Sequence, residues 1–181
     1  MAHIPIAQGG DGKIYLFFKQ EKDWSCAAAC LRMMWPLAGR PKYEESVARA
    51  TIETTAQGKI NWDDGGVDSA DFVLCLTRYF KYEVIDENEV FKHIEKINGL
   101  VVGVLFVKRD GGHHAVLVTN KCGGGEKYLI LDPAAGIGLM DSDDFMMGSY
   151  LPFLQKQDNS LVRAEGSTFG EIECLVLVSI K

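Results

Sequence analysis

The sequence is short of everything that would commit it to a membrane, a nucleic acid or an oxidised scaffold. No apolar run approaches the roughly 18–20 residues of a membrane-spanning helix. The opening stretch, MAHIPIAQGGDGK, has neither the charged start nor the long apolar segment of a secretory signal. Positive charge is in deficit: 19 Lys and Arg stand against 25 Asp and Glu, a formal charge of −6 with a pI near 5.2, and no basic stripe. That balance argues against nucleic acid or an anionic membrane as the main partner. The five cysteines, at 26, 30, 75, 122 and 174, are odd in number and have neither framework nor zinc-finger spacing. Four of them lie in apolar or helical runs, the usual setting of reduced, buried thiols. The expectation is a cytoplasmic protein, or one secreted by a route that needs no signal peptide. Histidine is also rare, and four in 181 residues leave few candidates for a general base.

What is present is an ordinary globular composition, 47% hydrophobic and 24% charged, in a chain long enough for one domain with a sizeable core. There are no internal repeats. In the first half, apolar spacing predicts a helix from Cys26 to Trp35, stopped by Pro36. It predicts a second, surface-lying helix from Tyr43 to about Ala56, and a third from Asp68 or Ser69 through Phe80. A fourth follows an Asn88 cap and stops at Gly99, with Val90, Phe91, Ile94 and Ile97 as its buried stripe. Strands are expected over residues 13–19 and 81–85. After Gly99 the pattern turns to strands, over residues 100–108, 113–120, 127–131, 137–140 and 171–180. Glycine turns at 109–112 and 123–125 separate them, a helical turn covers 141–147, and residues 155–170 read as polar loop. The class is α+β: a single domain with a helical lobe over about residues 20–98 and an antiparallel β lobe over about 99–181. A site assembled from both belongs in the cleft between them.

The most informative stretch is residues 20–35, Q-E-K-D-W-S-C-A-A-A-C-L-R-M-M-W. Cys26 stands where a polar turn gives way to a helix, with Asp23 and Ser25 as candidate N-caps. The unpaired N–H groups of a first turn favour negative charge, which a nucleophilic thiolate needs. Gln20 precedes it by six residues and can offer its amide as an oxyanion donor. A thiol nucleophile also needs a base, and the base an orienting group. His3 lies in an unanchored N-terminus and His93 on a helix among Glu89 and Lys96. His113 and His114 open a strand after a glycine turn, and alternation sends them to opposite faces. The pattern favours His114 as the base, with His113 next. Asp132 ends the following strand, and antiparallel pairing returns it toward the start of the histidine strand, where a carboxylate can stabilise the imidazolium. Trp24, beside the thiol, either shelters the site from water or pins the turn to the other lobe.

Taken in order, Gln20, Cys26 opening a helix, the later G-H-H-A-V and I-L-D-P, and the acidic-plus-Phe segment Asp141-Ser142-Asp143-Asp144-Phe145 resemble the papain-like cysteine peptidases. The likeness is to their compact bacterial branch, the peptidases of double-glycine leaders and the similar effector proteases of plant pathogens. It covers residues 18–147. The resemblance implies a papain-like two-lobed fold, with Cys26 as nucleophile, His114 as general base, Asp132 as orienting acid and Gln20 as oxyanion donor. Trp24 and His113 are expected beside the substrate. It implies a protein or peptide substrate, an inhibitor or immunity protein as a further partner, and no cofactor or metal. The leader peptidases carry Asp-Cys-Gly at the nucleophile where this chain has Ser25-Cys26-Ala27, so their substrate specificity does not carry over.

Other readings of the same residues stay open. The same acyl chemistry serves deamidation or transglutamination of a protein glutamine. A papain-like fold can also serve as a peptide-binding module that grips without cutting. Cys26 and Cys30, one helical turn apart, raise the thought of zinc, but no Cys/His pair has metal-type spacing, and Cys30 is more simply core beside Met33 and Met34. Loops at 63–66 and 123–125 are candidates to flank the cleft, and Gly10 and Gly66 are conceivable points of self-cleavage.

Overall fold

The computed structural model describes residues 6–10, 12–40, 44–109, 112–122, 126–165 and 170–181. His3, Tyr43, Asp110, Gly111 and the 123–125 turn, all named above, lie outside them. A large antiparallel sheet runs through the chain. Its middle strands are the apolar runs after Gly99: β4 (Val101–Arg109), β5 (Gly112–Cys122), β6 (Lys127–Asp132) and β7 (Gly136–Asp141). The last strand, β11 (Gly170–Ile180), inserts beside β4, and β3 (Phe80–Asp86) closes that end by pairing with β11 from Phe80↔Ile180 to Asp86↔Cys174. A long terminal strand with no polar residue between Leu175 and Val178 demands this place, since both its faces are covered. A small two-stranded sheet, β1 (Ile6–Gln8) with β2 (Ile14–Leu16), is not hydrogen-bonded into the large one but buries Ala7 and Tyr15 in the same core.

Alternation along the strands splits the interior into two cores, one on each face of the sheet. Ala115 and Leu117 of β5, with Val104 and Phe106 of β4, pack against α1 (Cys26–Met34), α2 (Glu45–Thr55) and α3 (Ser69–Leu76). Val116 and Val118, with Leu105 and Val107, pack on the opposite side. Their neighbours there are α4 (Val90–His93), α5 (Ser142–Met146) and Tyr150 of the short strand β8 (Ser149–Tyr150).

The differences from the sequence reading have local causes. The third helix ends at Leu76, because Phe80 already belongs to β3. The fourth is only one α-turn flanked by 3-10 turns, and Phe91 is 43% exposed while Val90, Ile94 and Ile97 are buried. A piece that short covers one narrow stripe, and Phe91 sits a quarter-turn outside it. The second helix buries Glu45, Ala48 and Ile52 against its neighbours rather than lying free on the surface. Two short strands pair here, β9 (Phe153–Gln155), which ends where the expected loop begins, and β10 (Leu161–Arg163), which lies inside it. Arg163 fastens them: its guanidinium stacks 4.4 Å from the Phe153 ring and donates to Asp144 at 2.7 Å. The acidic-plus-Phe segment is thus a clasp, with Phe145 buried edge-on to Tyr128 at 5.3 Å.

These placements separate two phenylalanines that the sequence treats alike. Phe145→Ala is expected to cost about 3–5 kcal/mol in urea unfolding, and Phe91→Ala to stay within about 0.5 kcal/mol.

Candidate active site

The turn before α1 is built by its own side chains. Ser25, the N-cap residue, makes no capping bond to the helix; its Oγ accepts from the Lys22 N–H and donates to the Lys22 carbonyl, both at 3.0 Å. Gln20 adds two bonds, its Nε2 donating to the carbonyls of Lys22 (2.9 Å) and Asp23 (2.6 Å). From α2 the fully buried Glu45 accepts the Glu21 N–H at 2.8 Å. Burial pushes the Glu45 carboxyl up, against the nearby Ser25 hydroxyl, the bond from the Glu21 amide and the charge of Arg32. Trp24 passes between two glycines, and a Cβ at Gly112 would overlap its indole ring, as one at Gly66 would overlap its carbonyl. Both glycines have positive φ, so the backbone there and the space for Trp24 each require glycine. Trp24 therefore pins the pre-helix turn to the start of β5 and to the 61–66 loop. Cys26 emerges as the first residue of α1, 6% exposed, and its Sγ accepts the Ala115 N–H at 3.3 Å.

His114, the residue before Ala115, meets the thiol from β5. Its Nε2 bonds Asp132 Oδ1 at 2.8 Å, and the Cys26 thiol is close enough to act on its charge. Burial alone would push the imidazole down. The charge and hydrogen bond of Asp132, with a smaller contribution from the neighbouring Cys26, overcome it and raise the ring to about 9. Asp132 is fully buried and surrounded by donors. Oδ1 also accepts the N–H groups of Ala134 (2.9 Å) and Ala135 (3.0 Å), a turn that the D-P-A-A sequence signals. Oδ2 accepts the Tyr150 hydroxyl at 2.7 Å and Arg109 Nη2 at 3.0 Å. Burial opposes ionisation of Asp132, but the charge and hydrogen bond of His114, the Arg109 guanidinium and the Tyr150 hydroxyl hold it well below the usual carboxylate range.

Cys26, His114 and Asp132 are thus brought together. His113 is not: exposed at the strand mouth, its Nδ1 lies 2.6 Å from Glu173 Oε2, two strands away on β11. Glu173 reaches it because it sits in the irregularity of β11 between Ile172 and Cys174. His93 is far from these residues in the order of elements, on α4 across the sheet. Cys30 is fully buried and its thiol is pushed well up by burial, then by the charges of Cys26 and Asp132. Among the described residues no group of three or more His, Cys, Asp or Glu side chains is placed to hold a metal ion. Two members of the site escaped the sequence. Arg109 reads there as a turn residue, and Tyr150, two residues after Gly148, lies in a stretch without periodicity.

No family model matches the sequence, and no curated protein does. Solved structures do. The peptidase domain of Streptococcus ComA, a bi-functional ABC transporter involved in quorum sensing, superposes with a TM-score of 0.58 at 12% identity, over 91% of this chain and 97% of that one. A double glycine motif protease from an AMS/PCAT transporter, solved in complex with the leader peptide, gives 0.55 at 13% identity over 98% and 99%. The chain has the papain-like cysteine peptidase fold. The avirulence protein AvrPphB of Pseudomonas is a looser likeness, with a TM-score of 0.41 at 10% identity over 87% of this chain and 91% of that one. In this papain-like chain no described helix is long and apolar enough to cross a membrane.

The His114–Asp132 pair fixes a pH dependence of stability. A histidine raised in the folded state stabilises it fully below its unfolded value of about 6.5, and that contribution disappears as pH rises through about 9. Asp132, depressed in the fold, contributes above about 3.9 and loses its contribution as pH falls below that. Denaturant unfolding of wild type and His114→Gln should therefore differ most between about pH 4 and 6.5, and the gap should narrow toward pH 9.

Proposed function

We propose that the chain is a cysteine peptidase that cleaves a peptide bond through an acyl-enzyme on Cys26. The observation that carries this is the line of contacts from the head of α1 to the end of β6. Cys26 Sγ accepts the Ala115 N–H at 3.3 Å, one residue from His114, whose Nε2 lies 2.8 Å from a fully buried Asp132. In the reaction the Cys26 sulfur attacks the substrate carbonyl carbon while His114 holds the thiol proton. The imidazolium gives that proton to the departing amine as the C–N bond breaks, leaving a thioester. Water then attacks the thioester with His114 as base, releasing the acid and restoring the thiol. Asp132 keeps the proton on Nε2, so the other ring nitrogen faces sulfur, and it stabilises the cation between steps.

The oxyanion needs donors, and the Cys26 N–H, first of α1, is one that the helix itself does not use. Gln20 is the second. At rest its amide shapes the turn through Lys22 and Asp23, and the substrate carbonyl oxygen replaces one of those acceptors when it binds. A peptide is the substrate class this fold supports, since one of the similar structures holds a leader peptide. Ser25 and Ala27 around the thiol argue for a recognition sequence of the chain's own.

A mixed peptide library, analysed by mass spectrometry for new termini, tests the reading. Wild type should generate them, Cys26→Ala none, and His114→Ala at least about a thousandfold more slowly. Gln20→Ala should lower kcat about a hundredfold with KM little changed. Equal products from wild type and Cys26→Ala, or ammonia released from glutamine without chain cleavage, would overturn it.

A further inference from the structure

Asp132 poses an electrostatic problem that His114 alone does not solve. A fully buried carboxylate demands a counter-charge. If His114 were its sole cationic partner, the neutral arrangement would be Asp132 ionised, His114 protonated and Cys26 a thiol. The imidazolium would serve the carboxylate, and the sulfur would keep its proton. A second positive charge on the carboxylate changes the balance. Ionised Asp132, Arg109, protonated His114 and thiolate Cys26 then sum to zero, and the imidazolium is available to the sulfur. The contacts are divided accordingly: Oδ1 faces His114, and Oδ2 faces Arg109 at 3.0 Å and Tyr150 at 2.7 Å.

Building on the peptidase reading, we propose that Arg109 is a positioning residue that balances the charge of Asp132 and so frees the His114 imidazolium to pair with Cys26. Its place in the fold suits the task. Arg109 is the last residue of β4 and pairs with Gly112 across the mouth of the hairpin that presents His114. Its side chain is 13% exposed, with the guanidinium 5.3 Å from the ring of Tyr150. Arginine keeps its charge at any relevant pH and can aim planar N–H groups at a carboxylate. The titratable or charged groups that face the imidazole and carboxylate among the described residues are Cys26 and Cys30 of α1, Arg109 of β4 and Tyr150 of β8. Cys30 and Tyr150 are both held well up by burial and stay neutral, so Arg109 is the one besides the reacting pair that brings charge.

The test is the second-order rate of Cys26 alkylation by iodoacetamide across roughly pH 5 to 10, with the modified residue identified by mass spectrometry. It is run on wild type, His114→Ala, Arg109→Met, Arg109→Lys, Asp132→Asn and the Arg109→Met/Asp132→Asn double variant. In Arg109→Met the rise of rate with pH should move to higher pH, with a loss of more than about tenfold near neutrality. Arg109→Lys should recover most of it. On the Asp132→Asn background, where no carboxylate needs balancing, Arg109→Met should change the rate less than about twofold. A profile for Arg109→Met that overlays wild type would overturn the inference, as would an equal loss on the Asp132→Asn background, the mark of a merely structural role. The double variant keeps the test decisive if Arg109→Met alone folds poorly. Wild-type alkylation that ignores His114 would instead remove the peptidase reading and this inference together. Dependence on His114 without dependence on Arg109 would remove this inference alone.

Discussion

A carboxylate with no exposure to water must be met by donors on every side, and at Asp132 they come from four parts of the chain. The imidazole of His114 belongs to β5, the guanidinium of Arg109 to β4, the hydroxyl of Tyr150 to β8, and two backbone amides to the turn after β6. Each bond is possible only if the sheet has the order β6-β5-β4-β11, with β8 laid alongside β11. The sheet topology and the site are therefore one constraint. A strand order that left Asp132 without these partners would bury an unpaired charge, which a fold of marginal stability does not tolerate.

The sulfur is placed by the other face of the sheet. The core around α1 sets the helix against β5, and the pre-helix turn is fixed by Gln20, Ser25, Glu45 and the passage of Trp24 between Gly66 and Gly112. Cys26 thus meets β5 at Ala115, one residue from His114. Buried hydrocarbon sets where α1 lies, and a few polar bonds set where its first residue points. The first supplies stability and the second supplies geometry.

Much of this was legible in the sequence, for identifiable reasons. Near-continuous apolar runs marked the central strands, and Pro36 and the polar turn bounded α1 within a few residues. Strand-end logic placed Asp132 beside the start of the histidine strand. Alternation separated His113 from His114, and the structure puts His114 at the thiol and His113 on Glu173. What escaped depends on contacts distant in sequence. Tyr150 lies 18 residues after Asp132 and reaches it only because β8 pairs with β11. Arg109 looks like any charged residue at a turn. The exposure of Phe91 and the strands β9 and β10 were missed because a short helix buries a narrower stripe than its pattern suggests, and because three-residue strands, the outer one held by the ion pairs of Arg163, carry little apolar signature.

The coupling of Asp132, His114 and Cys26 is the centre of the account, and the titration of the His114 ring reports it most directly. Nitrogen-resolved NMR of the imidazole, followed through pH in wild type and in Asp132→Asn, should show His114 in the wild type titrating near 9 and at distinctly lower pH in the variant. A wild-type ring that titrates near the ordinary histidine value of about 6.5, unmoved by the loss of the carboxylate, would contradict the account.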